Sequence, residues 1–170
     1  MSRISRIDIS FSTWVQYHFM SSGQTKFWRR VTSLADYGWF WFLTILVFCM
    51  NPRTRNAGIR ALITLGTCFF ITNILLKNIC GRERPFNSHC GVIPLIDEPG
   101  DMSFPSGHTS ASFSCAFVYL ILLPLKIALP LVILAALIGW SRIYLGVHYL
   151  SDVIGGIFIP LLVANLVCAL

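Results

Sequence analysis

The sequence is short of charge. Asp, Glu, Lys and Arg make up 12% of its 170 residues, where a soluble domain carries about 25%. With 55% of the chain hydrophobic and a mean hydropathy of +0.70, too little polar side chain remains to coat a globule in water. The same figures exclude a disordered chain. Acidic residues are scarcer than basic ones, seven against 13 Lys and Arg, for a net charge of +6. The cations are scattered between apolar runs and form no stripe, so nucleic acid is not an expected partner; charge placed this way records membrane orientation. The first 30 residues lack a continuous apolar core, because Asp8, Ser10, Ser12 and Gln16 interrupt it, so no cleavable signal peptide is expected. There is no internal repeat and no low-complexity tract. The six cysteines form no disulfide framework: Cys49, Cys68, Cys115 and Cys168 lie in apolar runs, where a thiol packs as a small hydrophobe. Cys80 and Cys90 fall in a polar stretch, and two unrelated thiols are expected there in preference to a disulfide.

What is present is apolar length. A span needs about 20 apolar residues to cross about 30 Å. Five stretches qualify: 31–50, 59–76, 109–125, 127–143 and 153–170. Pro130 and Pro160 fall inside two of them, which neighbouring helices tolerate. The expectation is an all-α membrane bundle of five to six transmembrane helices, a single domain over 1–170. The connections holding Arg53, Arg55, Arg60 and Lys126 contain no acid, whereas 77–104 sets Lys77, Arg82 and Arg84 against Glu83, Asp97, Glu98 and Asp101. The positive-inside rule puts the second group outside the cytoplasm. Tyr37, Trp39, Trp41, Trp140, Tyr144 and Tyr149 fall at the same face, as an interfacial belt would. Over residues 3–20, Ile4, Ile7, Phe11, Trp14, Val15 and His18 recur at helical spacing, so 1–30 reads as an amphipathic N-terminal segment on the membrane. A sixth span there would carry four polar residues at mid-depth, a costly arrangement.

Three segments hold polar residues that a purely structural bundle does not need. In Lys77-Asn78-Ile79-Cys80-Gly81-Arg82-Glu83-Arg84-Pro85, the first and eighth residues are two helical turns apart, on one side if the helix persists through Gly81. Ser103-Phe104-Pro105-Ser106-Gly107-His108-Thr109 leads a loop into an apolar helix. Ser106 is placed to cap that helix, Gly107 allows close approach, and the free amides form an anion site beside His108. In 141–152, Gly146 marks a turn, and His148 and Asp152 are four apart. The carboxylate can hold one ring nitrogen protonated and leave the other free as nucleophile or base. Arg142 adds a planar fork suited to phosphate oxygens. Each segment alone suits a structural role. Together they bring cations, histidines and a helix start to one predicted face, and ionisable groups in a membrane are expensive without a role.

Lys77 with Arg84-Pro85, Pro105-Ser106-Gly107-His108, and Ser141-Arg142 with His148 and Asp152 resemble the three signature motifs of the type 2 phosphatidic acid phosphatase superfamily. The likeness covers about 77–152, in order and at every defining position. It implies a phosphatase with no metal or other cofactor and a helical core. By the same resemblance His148 is the nucleophile and becomes phosphohistidine, Asp152 orients it, and His108 protonates the leaving oxygen and then activates water. Lys77, Arg84, Ser106, the Gly107 amide and Arg142 hold the phosphoryl oxygens. Phosphoryl transfer mostly needs positioning and charge stabilisation, which fixed cations supply.

A site at the outer interface favours a substrate whose phosphate sits at headgroup level while its tail stays in lipid. The short chain resembles small bacterial members that convert undecaprenyl diphosphate to the monophosphate for wall synthesis, which implies a multi-pass protein of the bacterial inner membrane. Phosphatidylglycerophosphate and phosphatidate are close competitors, since the motifs hold the phosphate common to all. A vanadate-binding haloperoxidase conflicts with the hydropathy. A phosphatase of soluble phosphoesters needs a polar entry from water. A non-catalytic lipid-binding or transport protein usually lacks a catalytic residue, and none is missing here.

Overall fold

The computed structural model describes residues 3–88 and 91–170. Cys90, and with it the reading of Cys80 and Cys90, lies outside the described residues. The described chain folds into helices: α1 (Arg3–Phe19), α2 (Ser22–Ser33), α3 (Trp39–Met50), α4 (Arg55–Phe69), α5 (Lys77–Cys80), α6 (Gly107–Leu122), α7 (Leu125–Tyr144) and α8 (Leu150–Ala169). A seven-residue π-helical stretch, Phe70–Leu76, joins α4 to α5, and short 3-10 turns cover Asp36–Gly38 and Pro85–Asn87.

The middle of the bundle is α6, packed against α4, α7 and α8. Its buried face is rich in small residues, among them Ser110, Ser112, Ser114, Cys115 and Ala116, which let helix backbones approach closely. Gly156 of α8 sets a close crossing: a β-carbon there would meet the Ser106 carbonyl oxygen at 2.9 Å and Thr109 Cβ at 3.0 Å. Trp41 of α3 is fully buried against α6 and donates its indole N–H to Ser112 Oγ at 3.0 Å. That close packing brings the start of α6 against the start of α8, where the polar segments meet.

Among the described residues, three stretches are long and apolar enough to cross a bilayer: Arg55–Asn87, Leu125–Tyr144 and Leu150–Ala169. The pair Ser22–Ser33 and Asp36–Met50, bent by 41°, makes a fourth if counted as one span. At 16 residues α6 falls short of the span expected at 109–125; wrapped by other helices, it has little lipid to match. The span expected at 31–50 is interrupted by a turn in which Tyr37 and Gly38 both take left-handed backbone angles, φ 53° and 72°. This turn brings Asp36 to the polar end of the bundle.

Three local expectations change. The helix carrying Lys77 stops at Cys80, because Gly81 takes φ 55° and closes it with a bond from its N–H to the Lys77 carbonyl. Lys77 and Arg84 therefore meet through a bend and do not share one helical face. The aromatic belt divides: Trp41, Tyr144 and Tyr149 are buried, while Tyr37 and Trp39 are exposed. The Tyr144 hydroxyl lies 3.1 Å from Thr25 Oγ1 and accepts from the Ser21 amide. The N-terminal segment is two helices, divided where Ser21 caps α2. In α1 the polar stripe Asp8, Ser12 and Gln16 faces the protein, and Ile7, Trp14 and Tyr17 face outward.

Candidate active site

All three polar segments converge at one end of the bundle. The bend at Gly81 leaves Arg84 extended, and its guanidinium stitches two loops. Nε donates to the Asp101 carbonyl at 2.8 Å, Nη1 to the Val147 carbonyl at 2.7 Å, and Nη2 to Asp101 Oδ1 at 2.6 Å. Its Nη1 is 3.3 Å from His148 Nε2. Lys77, buried at the end of the π stretch, pairs with the other oxygen of Asp101. π-helical segments often sit at functional sites; this one also sets Asn73 so close to Gly107 that a β-carbon there would meet Asn73 Oδ1 at 2.8 Å.

At the α7–α8 turn, Gly146 takes φ 73° and packs so tightly that a β-carbon would come within 2.6 Å of the Ile93 carbonyl oxygen. His148 follows it, buried. Asp152 lies in the first turn of α8 and closes a capping box with Tyr149, whose amide donates to Asp152 Oδ2 at 2.8 Å. Ser103 Oγ donates to the same oxygen at 2.5 Å. His148 Nδ1 stands 3.6 Å from Asp152 Oδ2, longer than a hydrogen bond, and Nε2 faces Arg84. Burial pushes the His148 imidazole well below the usual histidine range; Asp152 opposes the shift, and the Arg84 and Arg142 cations add to it. The ring is therefore held neutral with Nε2 toward the cations.

Gly107 opens α6 with no side-chain cap on its first turn, so the expected capping by Ser106 is replaced by another contact: the buried Ser106 hydroxyl accepts from Thr109 Oγ1 at 2.9 Å. His108 Nε2 is 2.8 Å from Asp36 Oδ1. Arg142, buried at the end of α7, donates from Nη1 to Thr32 Oγ1 at 2.6 Å. Among the described residues, the buried Arg142 Nε and His148 Nδ1 have no hydrogen-bond partner, and such orphans call for an explanation.

A cavity of about 590 Å³ is lined by Lys77, Arg84, Gly107, His108, Arg142 and His148. Its wall also takes in Phe42, Leu62, Leu65 and Phe69, so from α4 through the π-helical stretch to Lys77 the lining passes from apolar to cationic. Asp152 and Ser106 are buried beneath this lining. Six of the eight residues singled out in the sequence thus share one cavity, and the other two support it. Sequence reasoning missed Asp8, Asp36, Arg82, Asp101, Ser103 and Thr32. In the sequence Asp101 stands out only as one of the acids of the 77–104 connection. Partial burial raises its pKa, but Lys77 and Arg84 override that effect and hold the carboxyl down at about 2.

Three linked motifs gathered in one cavity invite comparison with known proteins. The PAP2 superfamily pattern matches residues 57–170. The chain belongs to the PAP2 superfamily. It is 34% identical over 116 residues to an undecaprenyl-diphosphatase of Bacillus subtilis, covering 68% of this chain and 58% of that protein. The curated relatives it matches are longer, and the chain spans about three fifths of their length. Among solved structures it resembles a transmembrane PAP2-type phosphatidylglycerolphosphate phosphatase from Bacillus subtilis, at TM-score 0.79 and 26% identity over 99% of this chain and 86% of that one. It also shares the fold of LpxE from Aquifex aeolicus, at TM-score 0.86 and 22% identity over 96% of each chain. This PAP2 chain is a helical membrane protein, and its N-terminal 56 residues lie outside the matched pattern.

Proposed function

We propose that this PAP2 protein is a metal-independent lipid phosphatase that works through a phosphohistidine intermediate. The observation that carries the reading is the buried, unpartnered Arg142 Nε beside Lys77, Arg84 and a neutral His148, in a cavity whose wall continues onto apolar residues of α3 and α4. The cations suit phosphoryl oxygens and the apolar wall suits a lipid tail.

In this reading Lys77, Arg84, Arg142, the Gly107 amide and Ser106 hold and neutralise the phosphoryl group. His148 Nε2 attacks phosphorus. As the N–P bond forms, the bond from phosphorus to the leaving oxygen breaks, and His108 delivers a proton to that oxygen. Asp152 stabilises the positive charge that develops on the His148 ring. In the second half-reaction water attacks the phosphohistidine, His108 takes a proton from that water, the N–P bond breaks and inorganic phosphate leaves. Both histidines return to their starting states.

The preferred substrate is undecaprenyl diphosphate, attacked at its terminal phosphorus to leave undecaprenyl phosphate, on the extracytoplasmic side of a bacterial inner membrane. The B. subtilis relative's name and the apolar wall support this choice. Phosphatidylglycerophosphate is the second reading, favoured by a structural neighbour that covers 99% of the chain. The test is phosphate release by the purified full chain in detergent, with undecaprenyl diphosphate, phosphatidylglycerophosphate and phosphatidate side by side and chelator present. Release highest on the polyprenyl diphosphate, unaffected by chelator and abolished by His148→Ala, supports the proposal. Release that chelator removes, or that survives His148→Ala, overturns it.

A further inference from the structure

The N-terminal helix α1 lies outside the region matched to the superfamily, yet it reaches the nucleophile pair. Asp8 is buried at the inner face of α1 and makes three contacts there. Oδ1 accepts from the Ser151 amide at 3.0 Å. Oδ2 accepts from Ser151 Oγ at 2.6 Å and from Arg82 Nη2 at 2.6 Å. Arg82 spends its other terminal nitrogen, Nη1, on Asp152 Oδ1 at 2.7 Å and on Ser151 Oγ at 2.6 Å. Its guanidinium carbon lies 4.1 Å over the centre of the Tyr149 ring. Asp8, Arg82 and Asp152 thus form a carboxylate–guanidinium–carboxylate row that ends on His148.

Two physical effects follow from that row. The first is positional. Asp8 supplies a partner for an amide in the first turn of α8, one of the donors a helix start leaves unmet, and so ties down the residue next to Asp152. The second is electrostatic. A guanidinium bonded to Asp152 alone would draw that carboxylate's charge away from His148. Shared with Asp8, Arg82 has its charge balanced on both sides, and Asp152 keeps its capacity to polarise the imidazole. Gln16, two turns further along the same stripe, anchors α1 by exchanging two bonds with the Ile93 backbone, at 2.7 Å from its Nε2 and 2.9 Å to its Oε1.

We propose that Asp8 is a positioning residue of the active site: acting through Arg82 and Ser151, it sets the orientation and basicity of Asp152, and through it those of His148. The proposal rests on the phosphatase reading given above. It assigns to α1 a part in the chemistry besides any contact with the membrane surface.

The test uses the full chain in detergent and two readouts, steady-state kinetics on undecaprenyl diphosphate and 15N NMR of the histidine side chains, with His148 assigned by its loss in His148→Asn. Asp8→Asn is expected to lower kcat roughly tenfold to a hundredfold, the scale on which carboxylates standing behind a histidine act, with KM within about twofold and the His148 ring-nitrogen shifts displaced. Asp8→Glu is expected to restore most of kcat and the wild-type shifts. Arg82→Gln, which leaves the Ser151 bonds to Asp8 in place, is expected to show the same kinetic split and shift. Unchanged kcat and unchanged His148 shifts in a folded Asp8→Asn protein overturn the proposal. Equal loss in Asp8→Asn and Asp8→Glu with His148 shifts unmoved also overturns it, since that pattern reports only weakened packing. If the wild-type chain releases no phosphate, the phosphatase reading fails, and displaced His148 shifts in Asp8→Asn still establish the positioning role.

Discussion

Asp101 is the anion that Lys77 and Arg84 share, one oxygen to each cation. On the proposed reading, a phosphoryl group enters between those cations and competes with a carboxylate that is half exposed and tethered by a loop. Asp101→Asn removes the competitor. Inorganic phosphate should then inhibit at a several-fold lower concentration, while the melting temperature falls because two buried cations lose their counter-charge. An unchanged phosphate inhibition constant would mean that Asp101 and phosphate do not compete. His148 gives a second residue-level expectation. Its folded pKa is depressed, so below about pH 6.5 the unfolded chain binds a proton that the folded chain refuses. The associated stability is complete above that pH and is lost as pH falls toward the depressed value. Melting temperature should be level above about pH 7 and decline below it, with a shallower decline in His148→Gln. Asp101, held at about 2, adds its own loss only under more acid conditions.

At the scale of elements, α4 and its π-helical extension carry the cavity wall from apolar to cationic. Gly66 lies on that wall, and a β-carbon there would have no heavy atom within 4 Å. Gly66→Phe should fold, since glycine in a helix interior is itself unfavourable, and should fill the apolar half of the cavity. The expected result is a rise in KM of at least about tenfold for a long-chain lipid phosphate, with little change for a short water-soluble phosphoester, because burial of an aliphatic tail is worth about 0.8 kcal/mol per methylene. Equal effects on both substrates would show that the tail lies elsewhere. The helices behind this wall were largely legible: α7 and α8 follow from unbroken apolar length. The break in the span expected at 31–50 was not, because it depends on Tyr37 taking a left-handed angle that carries no pattern in sequence. Likewise α1 was recognised by its period, but its faces had to be learned from its contacts. In water a polar stripe faces out; here Asp8 and Gln16 find their partners inside, on Arg82, Ser151 and Ile93.

For the whole molecule, three segments separated by dozens of residues meet at one end because α6, with its small buried face, allows α4, α7 and α8 to close around it. The motif residues were readable, since Lys77, Arg84, His108, Arg142, His148 and Asp152 are costly in a membrane without a task. The supporting acids were not. Asp36 meets His108 across 72 positions, and Asp8 meets Ser151 across 143; no local spacing announces either contact. The first 36 residues, which the motifs leave unexplained, therefore contribute Asp8, Thr32 and Asp36 to the site and its supports.

In the proposed reaction, phosphate passes through His148. The most direct measurement is rapid acid-free quenching of the full chain with undecaprenyl diphosphate labelled in its terminal phosphate, followed by mapping of the labelled peptide. A transient label, stable to alkali and lost in acid, is expected on the peptide containing His148, and none in His148→Ala. Turnover of the substrate with no label on the protein, or with the label on another residue, would contradict the proposed reaction.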